Sequence, residues 1–136
     1  MAANYTVVTQ YPDTEYLGGT QTRPVTAVGF LTVPGEIYFE SRIPDSAYSQ
    51  AEVDATGKVN AEPLINVLAL PNVTDVEWTQ VVRPSGYLAD EIIIYFQTPS
   101  GNSNGSITVP FTGLTAAGVK PKIDAAVAAL VASENL

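Results

Sequence analysis

One pattern is written twice along this chain. Val33-Pro34-Gly35 leads into the run Glu36–Ile43 and then Pro44. Later, Thr98-Pro99-Ser100-Gly101 leads through a polar loop into Ser106–Val109 and Pro110. Pro34 and Pro99 are 65 residues apart and Pro44 and Pro110 are 66 apart, so one residue inserted in the second loop aligns the copies. Further on, Val53 meets Val119 and Leu64 meets Leu130. Upstream, Val7–Pro12 can be laid on Thr79–Pro84, which makes the following loop seven residues longer in the first copy. Such self-similarity marks one supersecondary unit used twice.

Each copy reads strand, strand, strand, helix. First strands are expected over Tyr5–Gln10 and Val76–Arg83, second strands over Val25–Val33 and Asp90–Thr98, third strands over Glu36–Ile43 and Ser106–Val109. Val76, Trp78 and Gln80 alternate with Glu77, Thr79 and Val81, the two-residue period of a half-buried strand. Ile92–Phe96 is apolar throughout and rich in β-branched and aromatic residues, which predicts a central strand covered on both faces. Pro34-Gly35 and Ser100–Gly105 carry the residues that hairpin turns require. The segment Tyr11–Pro24 is expected to be a mobile loop, and Met1–Asn4 a mobile end.

In the first helix, Ser49-Gln50-Ala51-Glu52 has the form of a capping box. Pro63 removes a helical N–H, so this segment is expected to kink or to split, with Asn60 capping a second piece through Leu70. In the second, Thr115 is the expected cap and Pro121 forces a start or a kink. Ile123, Val127, Leu130 and Val131 recur on one helical face. Lys120 and Lys122 stand near its start and Glu134 near its end, against the preference of the helix dipole. The expected fold is therefore α+β, a predominantly antiparallel sheet from two β-β-β-α units with the helices packed on it. It forms one compact domain over residues 1–136, with halves 5–70 and 76–133.

Composition narrows the chemistry. The 136 residues include no cysteine and no histidine, which excludes thiol catalysis, Ser-His-Asp triads, the usual zinc sites, and haem or iron–sulfur ligation. Carboxylates are scattered rather than set at calcium-loop spacing, so no metal or organic cofactor is expected. A formal net charge of −8 argues against nucleic acid and against an anionic membrane surface as partners. The longest apolar run, Ile92–Phe96, is strand-sized, so no membrane span is expected. Met1–Tyr5 lacks the basic start of a secretory signal.

Few residues invite a site. Asp90 and Glu91 are neighbours on a strand and point to opposite faces, which favours solvated strand-edge charges over a shared centre. Gly101–Gly105 is glycine-rich but lacks the lysine and helix of a phosphate loop, so a flexible hairpin tip is expected. Glu36 and Glu40 could share a strand face with Tyr38 between them, a conceivable sugar or cation site, though an exposed amphipathic face explains them as well. Tyr5, Tyr11 and Tyr16, with Leu17, cluster near the start, and tyrosine is favoured at interfaces. These four are the candidate partner contacts. No catalytic constellation emerges, and an enzyme is not expected.

The order Tyr5-Thr6-Val7, Val28-Gly29-Phe30, Pro34-Gly35, Ile43-Pro44, Tyr48-Ser49 and Val53, closing in an Ala/Leu-rich helix, resembles a group of small virion structural proteins of tailed bacteriophages. Those proteins are usually one unit long; here the likeness covers Tyr5–Leu70 and Val76–Ser133 as a tandem fusion. The long Tyr11–Pro24 segment and prolines 63 and 121 depart from the pattern. The resemblance implies a multi-copy component of a symmetric assembly, without active site or cofactor, located in the virion and assembled in the host cytoplasm. Its partners would be the major capsid protein or other virion proteins. An auxiliary or decoration protein on the capsid shell is the leading expectation. A tail or head–tail component is the alternative, and a soluble module binding a host protein or carbohydrate is an alternative of another class.

Overall fold

The computed structural model describes residues 3–136; Met1 and Ala2, part of the expected mobile end, lie outside the described residues. Six strands and two helices follow the order β1 (Tyr5–Gly18), β2 (Gln21–Thr32), β3 (Tyr38–Pro44), α1 (Gln50–Leu68), β4 (Val73–Val82), β5 (Leu88–Gln97), β6 (Asn104–Pro110) and α2 (Ala116–Glu134). The α+β class and the two repeated β-β-β-α units are as the sequence indicates. The strands form two three-stranded antiparallel sheets, ordered β1-β2-β3 and β4-β5-β6. β3 and β4 lie beside each other without a ladder between them.

The repeat is closer than the proline spacing suggests. Both helices have 19 residues and begin 66 positions apart, behind the caps Ser49 and Thr115, whose hydroxyls accept from Glu52 N and Gly118 N at 3.0 Å. β3 and β6 are offset by the same 66. So are the β-bulges, between Val7 and Thr9 in β1 and between Val73 and Asp75 in β4. Gly35 and Gly101 both take positive φ, 99° and 75°, in the two β2–β3-type turns. Thr32, the last residue of β2, and Thr98, just past β5, are fully buried and knit these turns with their hydroxyls: Thr32 Oγ1 accepts from Ile37 N at 2.9 Å and Thr98 Oγ1 from Ser103 N at 3.3 Å. The copies therefore align without a gap. Pro34 corresponds to Ser100 rather than Pro99, and Val7 to Val73 rather than Thr79, so neither the one-residue nor the seven-residue insertion exists.

Four expectations are corrected. Tyr11–Pro24 is not a loop: the β1–β2 ladder runs unbroken in pairing from Thr9↔Gly29 to Tyr16↔Thr22, closes with Gly18↔Gln21, and turns only at Gly19-Thr20. Cross-strand pairs such as Arg23–Glu15, 2.8 Å apart, hold residues whose composition reads as turn. Asn4 is also tied, its carbonyl accepting from Val33 N at 2.8 Å. Both helices continue through their prolines, and α1 neither splits nor uses Asn60 as a cap; Asn60 Nδ2 instead donates to Ser41 Oγ at 3.4 Å. The reversed charges of α2 are satisfied locally. Lys120 pairs with Asp124 at 2.6 Å, one turn on, and Glu134 accepts the Ser100 hydroxyl at 2.7 Å. That last bond also secures the β5–β6 turn, which is thereby anchored to α2 rather than left as a flexible tip.

One core serves both units. Phe30, Phe39 and Leu64 from the first and Ile92, Ile94 and Ile123 from the second are among its fully buried members. α1 lies against β1, β2 and β4, α2 against β5 and β6, and the helices touch. Gly57 permits the close approach of α1: a Cβ there would stand 2.7 Å from the Phe30 ring and 2.9 Å from that of Tyr5. In β5, Ile92, Ile94 and Phe96 are buried while Ile93 and Tyr95 are only half-buried, so one face of this central strand is more open than expected.

Candidate functional site

The two units meet along a polar seam. In β2, Ala27 and Gly29 are small and point to one face, so long side chains from the flanking strands β1 and β3 can meet over them. Tyr11 and Tyr38 donate their hydroxyls to the two oxygens of Glu40, each at 2.7 Å. Arg42 places Nε and Nη2 on Asp13 Oδ2 at 3.0 and 2.9 Å. A Cβ on Gly29 would stand 2.5 Å from Tyr38 Oη and closer still to Thr9 Oγ1, so glycine is required for this arrangement.

From the second unit, Trp78 sets its ring edge-on to Tyr38 with centroids 5.9 Å apart. Gln80 donates to Asp90 Oδ1 at 3.0 Å. Glu15, Tyr16, Glu40, Arg42, Gln80 and Asp90 are among the residues lining a cleft of about 280 Å³ at this seam. Asp90 also borders a groove of about 550 Å³ between α1 and the segment Phe111–Ala116.

The electrostatics follow from burial and pairing. Burial pushes the Asp90 carboxyl up, the Gln80 amide and the nearby Arg42 pull it back, and Glu40 pushes it further up. The Thr14 N–H and Arg42 hold Asp13 below the usual carboxylate range. Tyr11 is pushed up to about 12 by its bond to Glu40 and by burial, and Tyr5 to about 12 by burial and its bond to Asp54. These groups mostly engage one another. Among the described residues, no group of three or more His, Cys, Asp or Glu could hold a metal ion, and no helix is long and apolar enough to cross a membrane.

The four candidate contact residues lie along β1 but do not form one site. Tyr5 packs edge-on against Phe30 at 5.6 Å and donates to Asp54 at 2.7 Å. Tyr11 joins the Glu40 cluster while keeping 39% of its surface exposed. Tyr16 meets Tyr87 of the β4–β5 turn, rings 5.2 Å apart. Leu17, also 39% exposed, has its carbonyl capped by the Tyr87 hydroxyl at 3.2 Å. The tips of the two long hairpins therefore clasp each other.

Two sequence readings of acids change. Asp90 is half-buried at the seam rather than a solvated edge charge, because β5 is the middle strand of its sheet. Glu36 sits in the turn with φ 49°, before β3 begins, so only Tyr38 and Glu40 share the face. Trp78, which with the tyrosines could supply an aromatic platform, does meet Tyr38, whereas the involvement of Arg42 and Gln80 was missed. Its available signal was the alternation of small residues, Ala27 and Gly29, in a strand otherwise rich in large ones. No family model, curated protein or solved structure matches the chain.

Proposed function

We propose that this chain is a non-enzymatic structural protein of a bacteriophage virion, an auxiliary or decoration protein on the capsid shell, with the major capsid protein as its principal partner. The observation that carries the reading is the β-β-β-α unit itself, used twice, whose strand, turn-proline and helix order resembles that of small phage virion proteins. The mutual pairing of Tyr11, Tyr38 and Glu40, and of Arg42 with Asp13, suits a scaffold. The contact with the shell is assigned to the clasped hairpin tips. There Leu17, Tyr87 and Leu88 keep 39%, 46% and 40% of their surfaces exposed, and interface energy concentrates in a few such residues, aromatics foremost.

The test is quantitative mass spectrometry of purified particles from the phage that encodes the chain. A copy number matching that of the major capsid protein is expected. A few copies per particle would move the protein to the tail or the head–tail junction. Absence from particles, with the protein abundant in the infected-cell lysate, would overturn the reading in favour of a soluble binding module.

A further inference from the structure

Within the chain, the second unit is seated on the first in an unreciprocated way. β4 lies beside β3 and against α1, with Trp78 on Tyr38. The matching relation, β1 beside β6 and against α2, is not made: neither β6 nor α2 packs comparably on β1. An interface of this kind is head-to-tail, and it leaves one complementary surface open at each end.

The two open edges share a property. β1 from Tyr5 to Pro12 (Tyr-Thr-Val-Val-Thr-Gln-Tyr-Pro) and all of β6 (Asn-Gly-Ser-Ile-Thr-Val-Pro) carry no charged residue, in a chain of net charge −8. Both are outer strands of their sheets. Natural proteins blunt free edges with charge, especially lysine, and with proline and bulges; β6 has none of these before its final Pro110, and this part of β1 has only Pro12 and the bulge between Val7 and Thr9. Val7 and Val8 on β1 keep 37% and 44% of their surfaces exposed, and Asn104, Ser106 and Thr108 on β6 are exposed. With the gapless 66-residue offset, Asn104, Ser106 and Thr108 occupy the positions of Tyr38, Glu40 and Arg42, and Pro12 and Thr14 those of Trp78 and Gln80.

We infer that the β1 edge of one copy packs beside the β6 edge of the next, continuing between chains the relation that seats β4 beside β3 within one. The occupant of each open edge is thus a second copy of this chain. The result is a ring if the rotation between units closes and a filament if it does not. The inference stands on the repeat and its edges, so it can fail while the virion reading holds, and the reverse.

The experiment is sedimentation velocity on the purified full chain across a concentration series, with an exposed lysine placed on each edge in turn. Thr14→Lys, at the position of Gln80, blocks β1 and leaves β6 intact; Ser106→Lys, at the position of Glu40, does the opposite. Wild type should form oligomers that grow with concentration. Each variant alone should stay monomeric over that range, its dissociation constant raised more than about tenfold by the cost of covering an unpaired lysine. An equimolar mixture should form a dimer and stop there, because it retains one good β1 edge and one good β6 edge. Unchanged thermal melts exclude misfolding, and Thr6→Lys and Thr108→Lys replace either variant that fails that control. Wild type that stays monomeric would overturn the inference. So would variants that associate like wild type, or a mixture that remains monomeric.

Discussion

The hydroxyl of Tyr87 donates to the carbonyl of Leu17 at 3.2 Å, joining residues seventy positions apart. With the edge-on contact of Tyr16 and Tyr87, it is what the hairpin tips have in place of a buried core. Tyr87→Ala should speed amide exchange at the β1–β2 tip, around Leu17 and Gln21, while lowering global stability by less than about 1 kcal/mol. Tyr87→Phe, which keeps the ring, should show a smaller effect. Hydrogen exchange read by mass spectrometry checks both; equal protection in wild type and Tyr87→Ala would show that the clasp does not hold the tip.

Gly57→Ala sets two effects against each other. Alanine is favoured over glycine in a helix by about 1 kcal/mol. Its Cβ would stand 2.7 Å from the buried Phe30 ring, and overpacking of that kind costs about 1–3 kcal/mol. Phe30 is itself fully buried and stacked on Phe39 at 4.9 Å, so any shift of its ring disturbs a second aromatic. The variant should be destabilised by about 1 kcal/mol in urea unfolding, the packing term exceeding the helical gain.

Asp90 is held at a cost. Its carboxyl is raised by burial, so between the unfolded and folded pKa values the native state binds more protons than the unfolded chain. Stability attributable to Asp90 is then present at low pH and falls as pH rises through its folded value. Asp90→Asn keeps an acceptor for Gln80 and removes the buried charge. It should melt higher than wild type at neutral pH, and the difference should vanish below the ordinary aspartate range. A lower melt at neutral pH would mean that the charge is needed by Arg42.

Tyr5 and Tyr11 act at the other end of the scale. Both are raised from 10.0 to about 12, so each stabilises the fold fully below pH 10 and loses that contribution as pH climbs toward 12. An alkaline titration followed by phenolate absorbance should show these two ionising late, in step with unfolding. In Tyr5→Phe/Tyr11→Phe the stability curve should decline less steeply over that range.

Much of the fold was legible because hydrophobic alternation and turn chemistry agreed in β2, β3, β5 and β6, whose expected limits differ from the observed ones by a few residues. What escaped was set by partners distant in sequence. The outer half of β1, Pro12-Asp13-Thr14-Glu15, reads as turn; its strand is held by the register with β2 and by Arg42 and Arg23, which sequence spacing does not reveal. Pro63 and Pro121 are ordinary helix breakers by local rule, yet α1 packs on both sheets and α2 on its own, and tertiary packing outweighs a missing hydrogen bond. The seam failed for a related reason. Strand alternation alone would put Glu36, Tyr38 and Glu40 on one face, but Tyr11 reaches Glu40 only because Ala27 and Gly29 between them are small. Pro34 and Pro99 look alike in sequence yet occupy different turn positions, one residue apart in the repeat.

The single core shared by the two units has a kinetic meaning. If the units were separate chains, their pairing would be bimolecular, and their melting point would climb with concentration. The short passage from Leu68 to Val73 instead keeps the second unit near the first. Tethers of this length act like about a millimolar solution of the partner. Duplication has thus converted a second-order encounter into a first-order fold: dilution cannot part the halves, and each newly made chain carries its own first neighbour with it.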